Sequence, residues 1–162
     1  MINEILIEML KYNALDTRRI NHAMKVHAYS KAIAEKEKID ENELLVLELA
    51  AILHDIGIKE CERKYSSTNG FLQQKEGPLV AMELVEKYNL DANLLKRVLY
   101  IIGHHHTYKD VDGDAHQILL EADLIVNTQE GYITQYAFWN AVERLFRTES
   151  AKEIARLAIE QL

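Results

Sequence analysis

The stretch LELAAILHDIGIKE, residues 47–60, runs through apolar residues with helical spacing and stops at an adjacent imidazole and carboxylate, His54 and Asp55. At the end of a core helix at least one of the two points inward, where an unpaired carboxylate is expensive. A metal ion, a cationic side chain or an N–H donor would relieve that cost. The dipeptide alone is weak evidence, because seven His and eight Asp in 162 residues supply roughly a third of an occurrence by chance. A helix-end hydrogen bond would account for the isolated pair as well as a metal would. Two other residues shift the balance. His22 lies in RRINHAMKV, within a helix able to pack on the one ending at His54, and Asp123 lies in ILLEADLIV, a carboxylate inside a second strongly apolar helix. Two imidazoles and two carboxylates form a mixed nitrogen and oxygen donor set suited to Fe, Mn, Ni, Co or Zn.

The elements that must bring these side chains together read as helices. Six Gly and one Pro leave few tight turns, and apolar residues recur at helical spacing, as in Ile2, Ile5, Leu6, Met9 and Leu10. Helices are expected near 2–12, 17–37, 41–54, 78–88, 91–103, 115–128, 132–146 and 149–161, giving an all-α, single-domain helical bundle over 1–162. Its site-bearing core is about 19–127, and packing helices occupy about 132–162. Asp40 to Glu43 resembles a capping box, with Asp40 accepting from the backbone and Glu43 reaching back. The segment Lys59 to Gly77 lacks periodicity and reads as a long loop of the kind that often carries function. A second break falls at 106–113. Leu145, Ile154, Leu157, Ala158 and Leu162 read as core packing, and Tyr136, Phe138 and Trp139 as core or interface. Association of copies through these C-terminal helices is an expectation.

At 48% hydrophobic the chain can bury one core of ordinary size. A net charge of −7 with no concentrated Lys and Arg argues against binding duplex nucleic acid by broad phosphate neutralisation. One cysteine, Cys61, forms no internal disulfide. With no leader-like N-terminus and no apolar span of about 18 residues, the expectation is a soluble cytoplasmic protein without a membrane partner.

The pattern Arg19-x-x-His22-x-x-x-Val26, then AAILHDIG at 50–57, IIGHH at 101–105 and EAD ending at Asp123, resembles the HD-domain metal-dependent phosphohydrolase family. The likeness runs over about residues 19–127. It implies that His22, His54, Asp55 and Asp123 hold a divalent transition metal. It also separates His22 from His27, which points roughly 140° away around the helix and reads as an ordinary partly buried histidine. Family members with two metals carry two further histidines. Here KEGPLVAMELV matches the first region with Glu76 in place of the histidine, so a second site would use Glu76 with His104 or His105. Of the triple His104-His105-His106, the last is expected outside the site, and His116 is expected to be structural or exposed. The family's HDIGK appears with its lysine one place late, as Lys59.

The resemblance implies activation of water by the metal and hydrolysis of a phosphomonoester or phosphoanhydride in a nucleotide or other small phosphorylated metabolite. Asp55 would orient the water or take its proton. Glu76 or an imidazole of His104 to His106, His105 above all, would do acid and base work, and Lys59 would reach a phosphate. Arg19, Arg63, Lys64, Lys96 and Arg97 are further candidates for phosphate oxygens. The EGPLVA region also resembles HD-domain diadenosine tetraphosphate hydrolases, but the chain lacks their longer C-terminal segment. Two alternatives stand beside hydrolysis: a di-iron HD-type oxygenase, and a non-catalytic domain that binds a nucleotide or a partner.

Overall fold

The computed structural model describes residues 1–160 and is all-α among them, with nine α-helices and one 3₁₀ turn. In chain order these are α1 (Ile2–Tyr12), α2 (Thr17–Glu37), α3 (Glu41–Leu53), α4 (Ile58–Tyr65), α5 (Gly70–Val85), the 3₁₀ turn Glu86–Tyr88, α6 (Ala92–Ile102), α7 (Gly113–Gln129), α8 (Gln135–Leu145) and α9 (Glu149–Ala158). The centre is the trio α2, α3 and α7, each packed on the other two. Every residue of α3 from Val46 to Leu53 is buried, and so is every residue of α7 from Ala115 to Val126. A helix buried all round loses the amphipathic stripe and is placed by its neighbours rather than by one face. Those neighbours are α1 and α6 on α3, and α8 and α9 on α7.

The helix starts follow from local chemistry. Asp16 accepts from the Arg19 N–H at the head of α2, and Asp40 accepts from the Asn42 and Glu43 N–H groups at the head of α3. Glu43 does not reach back as a capping box would. Its carboxylate turns to Arg97 of α6 and accepts from the Ala115 N–H at 3.2 Å, so it ties three helices together.

The expected loop at 59–77 is instead helical over most of its length. The α4 helix spans eight residues and buries only Cys61, too short a run for an apolar period to register. The α5 helix starts at Gly70, where the Asn69 side chain accepts from the Phe71 N–H, eight residues before the expected start at Pro78. Before Pro78 its inward side chains, Gln73 and Glu76, are polar, so an apolar pattern does not register them. Pro78 sits inside the helix and leaves one backbone carbonyl without its intrahelical donor. Among the C-terminal residues, Phe138 is fully buried, while Tyr136 and Leu157 are 72% and 81% exposed. Leu157 lies opposite the Ala151, Ala155 and Ile159 face by which α9 is buried, and Leu162 lies outside the described residues.

Two glycines set how closely α5 approaches the turn after α3. A Cβ on Gly57 would stand 2.6 Å from the Gly77 nitrogen, and one on Gly77 would stand 2.8 Å from Ile102 Cγ2. Backbone lies against backbone there, so only glycine fits without displacing α5. Gly57→Ala should therefore cost about 1–3 kcal/mol of overpacking, read by denaturant unfolding. Gly131→Ala, at a position with open space and φ +81°, is the comparison that carries backbone strain alone. Equal losses in the two variants would contradict the close-contact account.

Candidate metal centre

Side chains from four segments converge beneath the surface. His22 comes from α2, His54 and Asp55 from the turn that closes α3, Asp123 from the middle of α7, and His105 from the turn that follows α6. Three of the imidazoles share one hydrogen-bonding scheme. His54 Nδ1 donates to the Ala51 carbonyl at 2.8 Å, His105 Nδ1 to the Ile102 carbonyl at 2.7 Å, and His22 Nδ1 to Glu130 Oε2 at 2.8 Å. Carbonyl and carboxylate oxygens only accept, so each Nδ1 carries the proton and each neutral ring turns an Nε2 lone pair inward.

Those Nε2 atoms meet acceptors, not donors. His22 Nε2 stands 3.2 Å from His54 Nε2 and 3.1 Å from Asp123 Oδ1. Asp55 Oδ2 lies 3.4 Å from His22 Nε2 and 3.5 Å from His54 Nε2, while its Oδ1 lies 3.4 Å from His105 Nε2. His105 Nε2 is buried and has no hydrogen-bond partner. Lone pairs and carboxylate oxygens gathered within about 3–3.6 Å repel unless protons or a cation lie among them. Bonds of about 2.0–2.2 Å from one transition-metal ion place neighbouring donors about 3 Å apart, so His22, His54 and Asp123, with Asp55 beside them, fit such an ion.

Without a cation the cluster answers its carboxylates with protons. Burial pushes the His54 pKa down, but Asp55 and Asp123 outweigh it and hold the group up at about 9. Burial likewise opposes the charge on His22, and the hydrogen bond to Asp123 leaves its pKa above the ordinary value. Asp55 and Asp123 are raised by burial but held well below the usual carboxylate range, Asp55 by the imidazoles of His54 and His105 and Asp123 by those of His22 and His54.

The cluster opens into a cleft of about 530 Å³, lined among others by Arg18, Arg19, Thr68, Gln73, Asn127 and Tyr132. His106, expected outside the site, borders this cleft. Its Nε2 donates to Gln73 Oε1 at 3.0 Å, and it groups with Asp55 and His105 as a second set of donors. Glu76 and His104 are not brought to either set. Glu76 is 2% exposed and accepts from Lys64 Nζ and the Tyr65 hydroxyl, both at 2.7 Å, so it closes the α4–α5 corner. His104 stacks on Tyr100 and donates from Nδ1 to the Tyr100 carbonyl at 2.7 Å. Lys59 turns away to the Tyr12 carbonyl and ring. Arg63 pairs with Glu60, and Arg97 with Glu43 and Asp112, so neither faces the cleft. His27 bonds Glu48, and His116 is fully buried between the Asp112 N–H and the His104 carbonyl.

Glu130 and Arg18 are the residues that sequence reasoning missed. Glu130 carried a signal: it follows Asp123 by seven residues, two helical turns, and so falls at the C-cap of α7 in line with the Asp123 face. Arg18 carried none, because its neighbour Arg19 matched the family pattern.

The HD domain family model matches residues 19–157, and the chain belongs to that family. No curated protein matches the chain. Among solved structures, a predicted HD superfamily hydrolase from an uncultured Thermotogales bacterium superposes with a TM-score of 0.71 at 23% identity, over 96% of this chain and 83% of that one. At that identity the likeness is one of fold.

Two outcomes follow from this geometry. Glu130→Ala frees the His22 ring and should weaken metal binding about 10–100-fold in a chelator competition; unchanged affinity would show that Glu130 does not orient His22. In metal-free protein, the folded pKa of His54 near 9 exceeds its ordinary 6.5. The folded state then binds more protons than the unfolded one between those values, and stability is full below about 6.5 and lost as pH rises through 9. Thermal melts after chelator treatment should fall over that window, and metal-loaded protein should not follow the same fall.

Proposed function

We propose that the protein is a metal-dependent phosphohydrolase acting on a phosphomonoester or phosphoanhydride of a nucleotide or other small phosphorylated metabolite in the cytoplasm. The observation that carries this reading is the convergence of the Nε2 lone pairs of His22 and His54 on Asp55 and Asp123, at the inner end of a cleft large enough for a small molecule. Membership in the HD domain family and the fold shared with a predicted HD superfamily hydrolase support it.

His22, His54, Asp55 and Asp123 would hold the ion. A divalent metal there supplies Lewis acidity toward the phosphoryl group and lowers the pKa of a water. Asp55 faces both donor sets, one oxygen toward His22 and His54 and the other toward His105. It is thereby placed to orient a water and to accept its proton through Oδ1. His105, with its unpartnered Nε2, can relay that proton, and His106 at the cleft wall, kept neutral by desolvation with its pKa lowered to about 4, can hydrogen-bond a leaving oxygen through the N–H now held by Gln73. Glu130 holds the His22 ring in place. Glu76 and Lys59, engaged elsewhere, take no part in these steps.

The second donor set, Asp55 with His105 and His106, supports a second reading with two metal ions and, for a di-iron form, O₂ chemistry. Iron at two equivalents per chain with O₂ consumption would favour it.

Elemental analysis of tag-free protein should find close to one equivalent of a transition metal, lost in Asp123→Ala. The metal-replete enzyme should release phosphate from members of a nucleotide and sugar-phosphate panel, with a drop of at least about 10²-fold in Asp55→Asn. Metal retained in Asp123→Ala would contradict the ligand assignment, and a metal-replete enzyme inert toward the whole panel would contradict the reaction.

A further inference from the structure

We propose that Arg18 is the anion-binding residue of the cleft, and that the cleft is built for a substrate with a single phosphate group rather than a chain of phosphates. The substrate part of this inference rests on the phosphohydrolase reading; the binding part does not.

Two guanidiniums line the cleft, and they are in different states. Arg19 is neutralised twice, by Asp16 at 2.9 Å and by Glu62 at 2.5 Å. Arg18 pairs with no carboxylate among the described residues, and its guanidinium carbon lies 4.9 Å from the centre of the Tyr132 ring, which also lines the cleft. Contact with an aromatic face occupies the flat side of a guanidinium and leaves the N–H donors around its edge available. An unpaired planar fork of that kind suits bidentate contact with phosphate oxygens. The ring also restricts the arginine before binding, so less side-chain freedom is lost when an anion arrives.

Charge decides between one phosphate and several. Of the carboxylates along the cleft, Asp16 and Glu62 are taken up by Arg19, and Glu130 by His22 and Lys25. Asp55 and Asp123 face the imidazoles. After these pairings, and with Asp55 and Asp123 balancing a divalent ion held at the site, Arg18 is the one lining cationic side chain left among the described residues, in a chain whose net charge is −7. Lys59, Lys64, Arg63 and Arg97, which could have served a longer anion, are held elsewhere. A phosphate group brings about 1.5–2 negative charges at neutral pH. Beyond a phosphate held between the metal site and Arg18, each further phosphate would enter a cleft with no additional cationic side chain to meet it and with carboxylates on its walls.

The test uses full-length, metal-loaded protein, with metal content checked in every variant. Inorganic phosphate is titrated calorimetrically into wild type, Arg18→Gln and Arg18→Lys. The values of kcat and KM are then measured for the mono-, di- and triphosphate of one nucleoside and for a sugar monophosphate. Expected are phosphate binding weakened about tenfold or more in Arg18→Gln, partial recovery in Arg18→Lys, and a matching rise in KM with kcat changed far less. Monophosphates should give the higher kcat/KM. Phosphate binding in Arg18→Gln equal to wild type would overturn the subsite, and a triphosphate preferred over its monophosphate would overturn the substrate class. Arg18-dependent phosphate binding without turnover of any ester would support the subsite while removing the hydrolase reading.

Discussion

Buried negative charge is the constraint on which the rest of the structure depends. Asp123 sits within a helix whose residues from Ala115 to Val126 are all buried, and Asp55 follows directly on the buried end of α3. The Asp123 position is not affordable for a lone carboxylate, and Asp55, with its side chain 23% exposed, is crowded in beside it. The fold answers by aiming three imidazoles at them, each with its Nδ1 proton already committed to an oxygen acceptor and its Nε2 turned inward. The backbone supplies two of those acceptors from within one helical turn, so the ends of α3 and α6 orient His54 and His105 by their own geometry. The third is Glu130, which makes the far end of α7 part of the same arrangement.

The surrounding helices serve this cluster at a cost in ordinary packing. The inner face of the first half of α5 is polar, with Gln73 bridging the Thr68 carbonyl and His106, and with Glu76 holding the α4–α5 corner through Lys64 and Tyr65. Such a face gains less from burial than an apolar one. The backbone contact between Gly57 and Gly77 brings α5 close enough for those side chains to reach. The result is part of the wall of a cleft that Arg18 and Tyr132, from different segments of the chain, also line.

The central helices were legible in their apolar periods; His54, Asp55 and Asp123 stood out because they close or interrupt strongly apolar runs, where their cost demands a partner, and the family resemblance joined His22 to them. The segment 58–77 was not legible, since a helix that buries Gln73 and Glu76 shows no apolar period. Glu76 fell at a position where the family pattern suggested a ligand, but sequence could not show that Lys64 and Tyr65, 12 and 11 residues earlier on α4, fold over to bind it. His104 and His106 exchanged their expected places because the turn after α6 rotates successive side chains apart, and the partners that fix it, Tyr100 and Gln73, lie on other turns and helices. Glu130 was within reach of helical spacing. Arg18 was not, because the contact that sets it apart is with Tyr132, which is more than a hundred residues away in the chain.

The most direct test of the proposed metal centre is anomalous diffraction from crystals of the metal-loaded protein, collected on both sides of the absorption edge of the bound metal. The account predicts a peak bounded by Nε2 of His22, Nε2 of His54 and a carboxylate oxygen of Asp123, with Asp55 alongside. A peak elsewhere in the molecule, or a fully ordered His22–His54–Asp123 cluster with no anomalous density in crystals shown to contain the metal, would contradict it.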